Sequence, residues 1–250
     1  MKLNKYFCYP VPKAFGVVSV SQKSMMSFRA IPIFRGIISR HLYLIVLLFL
    51  SFLSCKNQSK ETTITEVARL PYFNSADFTP EWETPVHKIP EFSFTNQKGE
   101  VVNNNTYKGK IYIADFFFTS CPGICPKLTK NMASLQEAYK NDNTIKLLSH
   151  TVMPWKDSIP VLKEYAKRNG VNDEKWNLVT GNKDALYNIA RKGYFADEDF
   201  IKTQDDSNFI HTENFVLVDK NGYIRGVYNG TLEVDVLRLK RHIDILKKEI

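Results

Sequence analysis

The 250 residues suffice for one domain of ordinary size with appendages, and a hydrophobic fraction of 44% is enough for a real core. The formal net charge of +8 invites a nucleic-acid reading, but the first 54 residues hold seven basic side chains (Lys2, Lys5, Lys13, Lys23, Arg29, Arg35 and Arg40) and no acidic one. Removing them leaves +1 for the remainder, so no basic excess survives in the folding part and nucleic-acid binding is excluded.

Leu42 to Leu53 (LYLIVLLFLSFL) is apolar and follows Arg35, Arg40 and His41, the order of an export signal. A membrane span needs about 20 apolar residues, and this run is shorter. It ends at Leu53, Ser54 and Cys55 and turns polar at Lys56. That arrangement resembles a lipobox, with Cys55 as the lipidated first residue of the mature protein, although Phe52 stands where leucine is usual. An uncleaved anchor ending at a cysteine is the alternative. Residues 1–40 are long for the start of such a signal, Met25 or Met26 is a better start, and Cys8 is then lost with the leader. The expected organisation is a leader over 1–54, a lipid-attachment cysteine, tether and irregular packed segment over 55–88, and a domain over 89–250. The protein is expected to be exported and membrane-anchored, facing the periplasm.

From Lys56 to about Glu66 nothing can be buried, which reads as a tether. Leu70 to Trp82 brings Tyr72, Phe73, Phe78 and Trp82, expected to pack irregularly on the domain because exposed they would aggregate. Phe92 and Phe94 alternate, Asn96 to Gly99 is turn chemistry and Val101 and Val102 resume, so a hairpin is predicted. Ile111 to Phe117 is a fully buried strand that stops at two cysteines, and Leu128, Met132, Leu135 and Tyr139 then recur at helical spacing. Ile145 to Val152 is another buried strand, Ser158 to Asn169 a helix with Gly170 as its stop, Trp176 to Thr180 a short strand and Lys183 to Lys192 a helix. Phe215 to Val218 and Tyr223 to Tyr228 flank a DKNG turn, and Thr231 to Ile250 is an amphipathic helix with Val236, Leu239, Ile243 and Leu246 on one face. Strands alternating with helices give an α/β domain with a central mixed sheet and helices on both faces.

The chemistry lies in Cys121 and Cys125, where a strand hands over to a helix N-terminus. That position offers unpaired N–H groups and the positive end of a macrodipole, which favour thiolate. A four-residue spacing permits a disulfide or two sulfurs on one small metal ion, whereas a mere staple would close too small a loop to constrain the unfolded chain much. Two thiolates suit Cu(I), and an added imidazole also accommodates Cu(II); a structural zinc site wants four ligands. His211 is the best third donor, in a run without apolar pattern just before a strand. His150 reads as a packed core histidine, His242 lies on a solvated helix face, His87 is a weaker donor, and Met132 and Met153 read as core.

The motifs FFTSCPGICP (Phe117 to Pro126), WNLVTG (Trp176 to Gly181) and His211 followed by FVLVDKNGYIRGVYNG resemble the SCO/SenC family of copper chaperones for cytochrome c oxidase assembly. The resemblance runs from about Ile89 to the C-terminus and implies a thioredoxin-like fold with an N-terminal hairpin extension. It also implies copper, Cu(I) or Cu(II), on Cys121, Cys125 and His211, with the loop before the hairpin strand bringing His211 to the sulfurs. The two cysteines would in addition be a redox pair able to reduce the cysteines of an acceptor, cytochrome c oxidase subunit II or a similar copper site. Family members often carry acidic residues where this chain has Ile124 and Met153, and a less negative site shifts copper affinity and reduction potential. Two functions stand: a membrane-tethered copper chaperone, and a metal-free thiol–disulfide oxidoreductase in which Cys121 attacks and Cys125 resolves. His211 separates them, since dithiol exchange has no need of an imidazole. A thiol peroxidase lacks a second motif to position a peroxide.

Overall fold

Seven consecutive buried side chains, Ile111–Phe117, form the strand β5 around which the rest is laid. A computed structural model describes residues 69–197 and 210–249; the expected leader, Cys8 and Cys55 lie outside the described residues. Before β5 come a short ribbon, β1 (Tyr72–Phe73) with β2 (Pro80–Glu81), the hairpin β3 (Ser93–Asn96) with β4 (Val101–Asn103), and a one-turn helix α1 (Asn104–Tyr107). After it come α2 (Cys125–Ala138), β6 (Ile145–Thr151), α3 (Ile159–Arg168), β7 (Trp176–Thr180) and α4 (Lys183–Asn188). The hairpin β8 (Asn214–Val218) with β9 (Ile224–Asn229) and the helix α5 (Glu233–Leu246) close the chain.

The main sheet runs β4-β3-β7-β6-β5-β8-β9. β5, β6 and β7 are parallel, while β3 against β7 and β8 against β5 are antiparallel. This is the mixed, thioredoxin-like sheet that the sequence leads one to expect, with the hairpin β3–β4 added at one edge. Because side chains alternate along β5, Ile113 and Phe117 join a core with α2, α3 and α5, whereas Tyr112, Ala114 and Phe116 join one with α4 and the N-terminal segment. Met132 and Leu135 of α2 are wholly buried, and truncating either to alanine costs about 2–5 kcal/mol.

Several expectations need correction. The helix drawn over Lys183 to Lys192 is α-helical only to Asn188 and widens into a π turn over Ile189–Gly193. There the Tyr194 N–H donates to the Ile189 carbonyl, burying Tyr194 and setting Arg191 against Asp197 at 2.8 Å. The aromatics of Leu70 to Trp82 are not all packed: Trp82 is 56% exposed beyond the β1–β2 ribbon. Ser158 stands at the N-cap of α3 but makes no capping hydrogen bond. His242 is not on a fully solvated face, since its Nδ1 lies 2.8 Å from the Tyr228 hydroxyl.

The N-terminal segment is fastened by one buried arginine. Arg225 in β9 donates to the Leu70 and Pro71 carbonyls, pairs with Asp219 and Glu249, and lies 4.2 Å over the Tyr72 ring. This knot sits at the end of the sheet where β5 begins, opposite the cysteines at its other end.

Two buried titratable groups oppose each other. His150 on β6 is fully buried among Phe92, Phe94, Phe116 and Tyr194, and neither ring nitrogen has a hydrogen-bond partner among the described residues. Burial pushes its pKa down to about 3. Asp115 on β5, facing the other side of the sheet, is pushed up to about 7 by burial, partly offset by the Ser149 hydroxyl donating to it. Below pH 6.5 the unfolded histidine binds a proton that the folded one refuses, so acidification destabilises. Between the ordinary carboxylate range and pH 7 the folded Asp115 holds a proton that the unfolded one releases, so acidification stabilises. From pH 4 to 6.5 the two contributions therefore cancel. Urea unfolding across that window should show His150→Phe gaining stability relative to wild type on acidification by about 1.4 kcal/mol per pH unit, and Asp115→Asn losing it at a similar rate. Parallel profiles for all three proteins would refute this.

Candidate metal and redox site

Strand β5 ends at Phe117, and the chain turns through Thr119, Cys121 and Gly123 before α2 opens at Cys125. Only Cys125 is on the helix; Cys121 lies in the turn ahead of it, with its N–H on the Phe118 carbonyl at 3.3 Å. The N-cap position is Ile124, no side chain caps the helix, and its first turn holds no acidic residue. The orphan N–H groups are thus left for sulfur. The backbone groups of Gly123, Ile124 and Cys125 and the Cys125 side chain favour the ionised form of Cys121.

The two sulfurs are chemically unequal. For Cys121, partial burial is the largest single effect and opposes ionisation, but the hydrogen bonds from the Cys125 thiol and the three backbone groups together outweigh it and hold the thiol below its ordinary value. Cys125 is 4% exposed, and burial, with the hydrogen it gives to Cys121, pushes it up to about 12. Cys121 is therefore the more readily ionised of the two sulfurs, and Cys125 the one that holds its proton. Both cysteines are free thiols in the structure.

His211 is exposed, just ahead of β8, and with Ile210 it borders the same small cavity as Cys125, Phe118 and Ile124. That cavity holds about 10 Å³, so the two segments abut. The imidazole does not close on the sulfurs: among the described residues no three His, Cys, Asp or Glu side chains are near enough to hold one metal ion. The donor chemistry nevertheless suits a soft ion, with two sulfurs within hydrogen-bond reach and a borderline nitrogen across the cavity. The other described histidines are committed elsewhere: His150 to an aromatic box, His242 to Tyr228, and His87 Nε2 to the Gly193 carbonyl at 2.7 Å. Met132 is core, and Met153 packs at the edge of the second cluster. Two larger clefts, of about 540 and 520 Å³, open around Tyr107 and Arg225 and share no residue with the cysteine turn.

Sequence reasoning missed the carboxylates beneath this turn. Asp157 accepts the Thr119 N–H at 3.2 Å and the Thr119 hydroxyl at 2.5 Å. Asp115 anchors a chain in which Trp176 Nε1–H donates to the Ser149 oxygen at 2.8 Å and the Ser149 hydroxyl donates to Asp115. A carboxylate inside the apolar run IYIADFFF was the available signal, because such a group must find donors.

In the reduced, metal-free protein at neutral pH, iodoacetamide should label Cys121 at least about tenfold faster than Cys125. Cys121→Ser should remove the fast phase and leave the buried, slowly labelled Cys125. Equal labelling rates would contradict the asymmetry.

The SCO1/SenC family model matches residues 81–242. An SCO1 protein homolog of Bacillus subtilis (strain 168) is 32% identical over 146 residues, covering 58% of this chain and 75% of its own. A Stutzerimonas stutzeri protein named for copper binding is 28% identical over 154 residues, covering 60% of this chain and 73% of its own. Among solved structures, a SCO1/SenC family lipoprotein from Bacillus anthracis str. Ames matches 66% of this chain and 98% of its own, with 28% identity and a TM-score of 0.57. BsSco, described as having a disulfide switch and as a member of the Sco family of cytochrome c oxidase assembly proteins, matches 67% and 98%, with 25% identity and a TM-score of 0.56. With the matched segment covering more than half of its length, the chain belongs to the SCO1/SenC family.

Proposed function

We propose that this protein is a copper chaperone whose cargo ion is held by Cys121, Cys125 and His211 and passed to the dinuclear copper site of cytochrome c oxidase, in subunit II or a similar acceptor. The observation that carries the reading is a low-pKa thiolate paired with a buried thiol at an uncapped helix N-terminus, across a small cavity from an exposed imidazole. Two sulfurs alone suit Cu(I), and the approach of His211 would complete a set that also accepts Cu(II). Each ion bound displaces the proton held on Cys125, so affinity falls with falling pH. The names carried by the S. stutzeri protein and by BsSco support copper as the cargo and cytochrome c oxidase as the destination.

A second reading is favoured by the inequality of the sulfurs, which is what thiol exchange requires. The Cys121 thiolate attacks an acceptor disulfide and releases one thiol. Cys125 then gives up its proton and attacks the Cys121 sulfur of the mixed disulfide, releasing the second thiol and leaving a Cys121–Cys125 disulfide. Reduction of the acceptor's cysteines and delivery of copper to them are compatible steps at one partner.

Copper titration of the reduced protein tests the first reading. One equivalent should bind, with a thiolate-to-Cu(II) charge-transfer band that Cys121→Ser and Cys125→Ser abolish. His211→Ala should lose Cu(II) by at least about tenfold while still forming the disulfide. Unchanged Cu(II) affinity in His211→Ala sinks that ligand, and binding no better than in a cysteine-free variant leaves thiol exchange alone.

The site is read as facing the periplasm from a lipid anchor at Cys55. No helix among the described residues is long and apolar enough to cross a membrane, and the B. anthracis relative is described as a lipoprotein. Leu70 enters the domain at the Arg225 knot, the end of the sheet away from the cysteines. Cys55→Ser should move the protein from the membrane to the soluble fraction of the cell envelope; retention at the membrane would favour an uncleaved anchor.

A further inference from the structure

We propose that Asp157 is a positioning residue for the sulfur pair, holding the turn that carries Cys121 and so setting how readily the pair closes into a disulfide; this rests on Cys121 and Cys125 being a redox pair. The Asp157 side chain is wholly buried, and no basic side chain among the described residues pairs with it. Every group that meets its carboxylate is a donor: the Thr119 N–H at 3.2 Å, the Thr119 hydroxyl at 2.5 Å and the Thr151 hydroxyl. Its own N–H donates to the Met153 carbonyl at 2.9 Å, and the Met153 N–H donates to the Thr151 oxygen at 3.0 Å. One carboxylate thus binds the end of β6, the loop that follows it and the turn beyond β5 into a single piece.

Burying a carboxylate without a cation is unfavourable unless donors replace its water, so this is an expensive way to brace a loop. What the carboxylate adds over an apolar brace is acceptor capacity at both oxygens, used by Thr119 and Thr151. Thr119 is two residues ahead of Cys121 and receives both its backbone and its hydroxyl contact. Disulfide closure needs the sulfurs about 2 Å apart with a narrow dihedral range, so a turn held in place lowers the cost of closing it. Loosening the clamp therefore acts towards a disulfide that is reduced more easily.

The protein is equilibrated with glutathione and glutathione disulfide. The dithiol gives two electrons and two protons to one glutathione disulfide, yielding two glutathione thiols and the Cys121–Cys125 bond. Asp157→Asn should lower the equilibrium constant for forming the protein disulfide about tenfold, a potential about 30 mV less negative. Thr119→Val, which keeps the charge but loses one contact, should shift it less, and Thr119→Ser should restore it. Asp142→Asn, at an exposed ion pair with Lys247, loses some stability and serves as the control in which the constant should stay put. A wild-type constant in Asp157→Asn, or an equal shift in Asp142→Asn, overturns the proposal. Should Asp157→Asn not fold, Thr119→Val against Thr119→Ser decides it: equal constants overturn it. A wild-type protein that forms no Cys121–Cys125 disulfide at any buffer ratio overturns the redox-pair reading instead, and the proposal falls with it.

Discussion

The site depends on two sulfurs that differ in how readily they ionise. Cys121 lies in the turn that follows a strand whose every residue is buried, ahead of a helix that no side chain caps, and the backbone groups of Gly123, Ile124 and Cys125 help hold its thiol below the ordinary value. Cys125 opens that helix with its side chain in the core beside Leu128 and Met132, where burial keeps it protonated. A soft cation or an electrophilic sulfur meets a ready nucleophile at Cys121 and a second sulfur that joins only after losing its proton. The proposed copper binding and the proposed disulfide exchange would both begin from this arrangement.

The fold sets the Arg225 knot and the cysteines at opposite ends of β5. Arg225, with Asp219 and Glu249, fastens Leu70 to Tyr72 where β5 begins, and the cysteines lie where β5 ends. Among the described residues, the cavity beside Cys125 and His211 holds only about 10 Å³, while clefts of about 540 and 520 Å³ open near the Arg225 end. Beneath the turn, the carboxylates Asp115 and Asp157 are fixed by hydroxyls rather than cations, which places buried acceptors behind the site although Ile124 makes the wall beside Cys125 apolar.

Most of the architecture was legible in the sequence because it is written in local patterns. The unbroken apolar run of β5, the turn residues in NQKG and DKNG, and the i, i+3, i+4 spacing of Val236, Leu239, Ile243 and Leu246 each specify an element without knowledge of its neighbours. The paired cysteines were legible for the same reason. What stayed hidden depends on contacts distant in the chain. The π turn after Asn188 exists to bury Tyr194 and seat Arg191 on Asp197, and Asp157 meets Thr119 across 38 residues. His211 was found by its position before a strand, but whether it touches sulfur is set by a side-chain approach that no spacing encodes.

X-ray absorption at the copper edge of the reduced, copper-loaded protein tests the three-donor assignment most directly, because it counts the atoms around the ion. Two sulfur neighbours with the outer-shell scattering of one imidazole, lost in His211→Ala, is the expected result. Sulfur neighbours alone in the Cu(II) form, or an imidazole signal that survives His211→Ala, would contradict it.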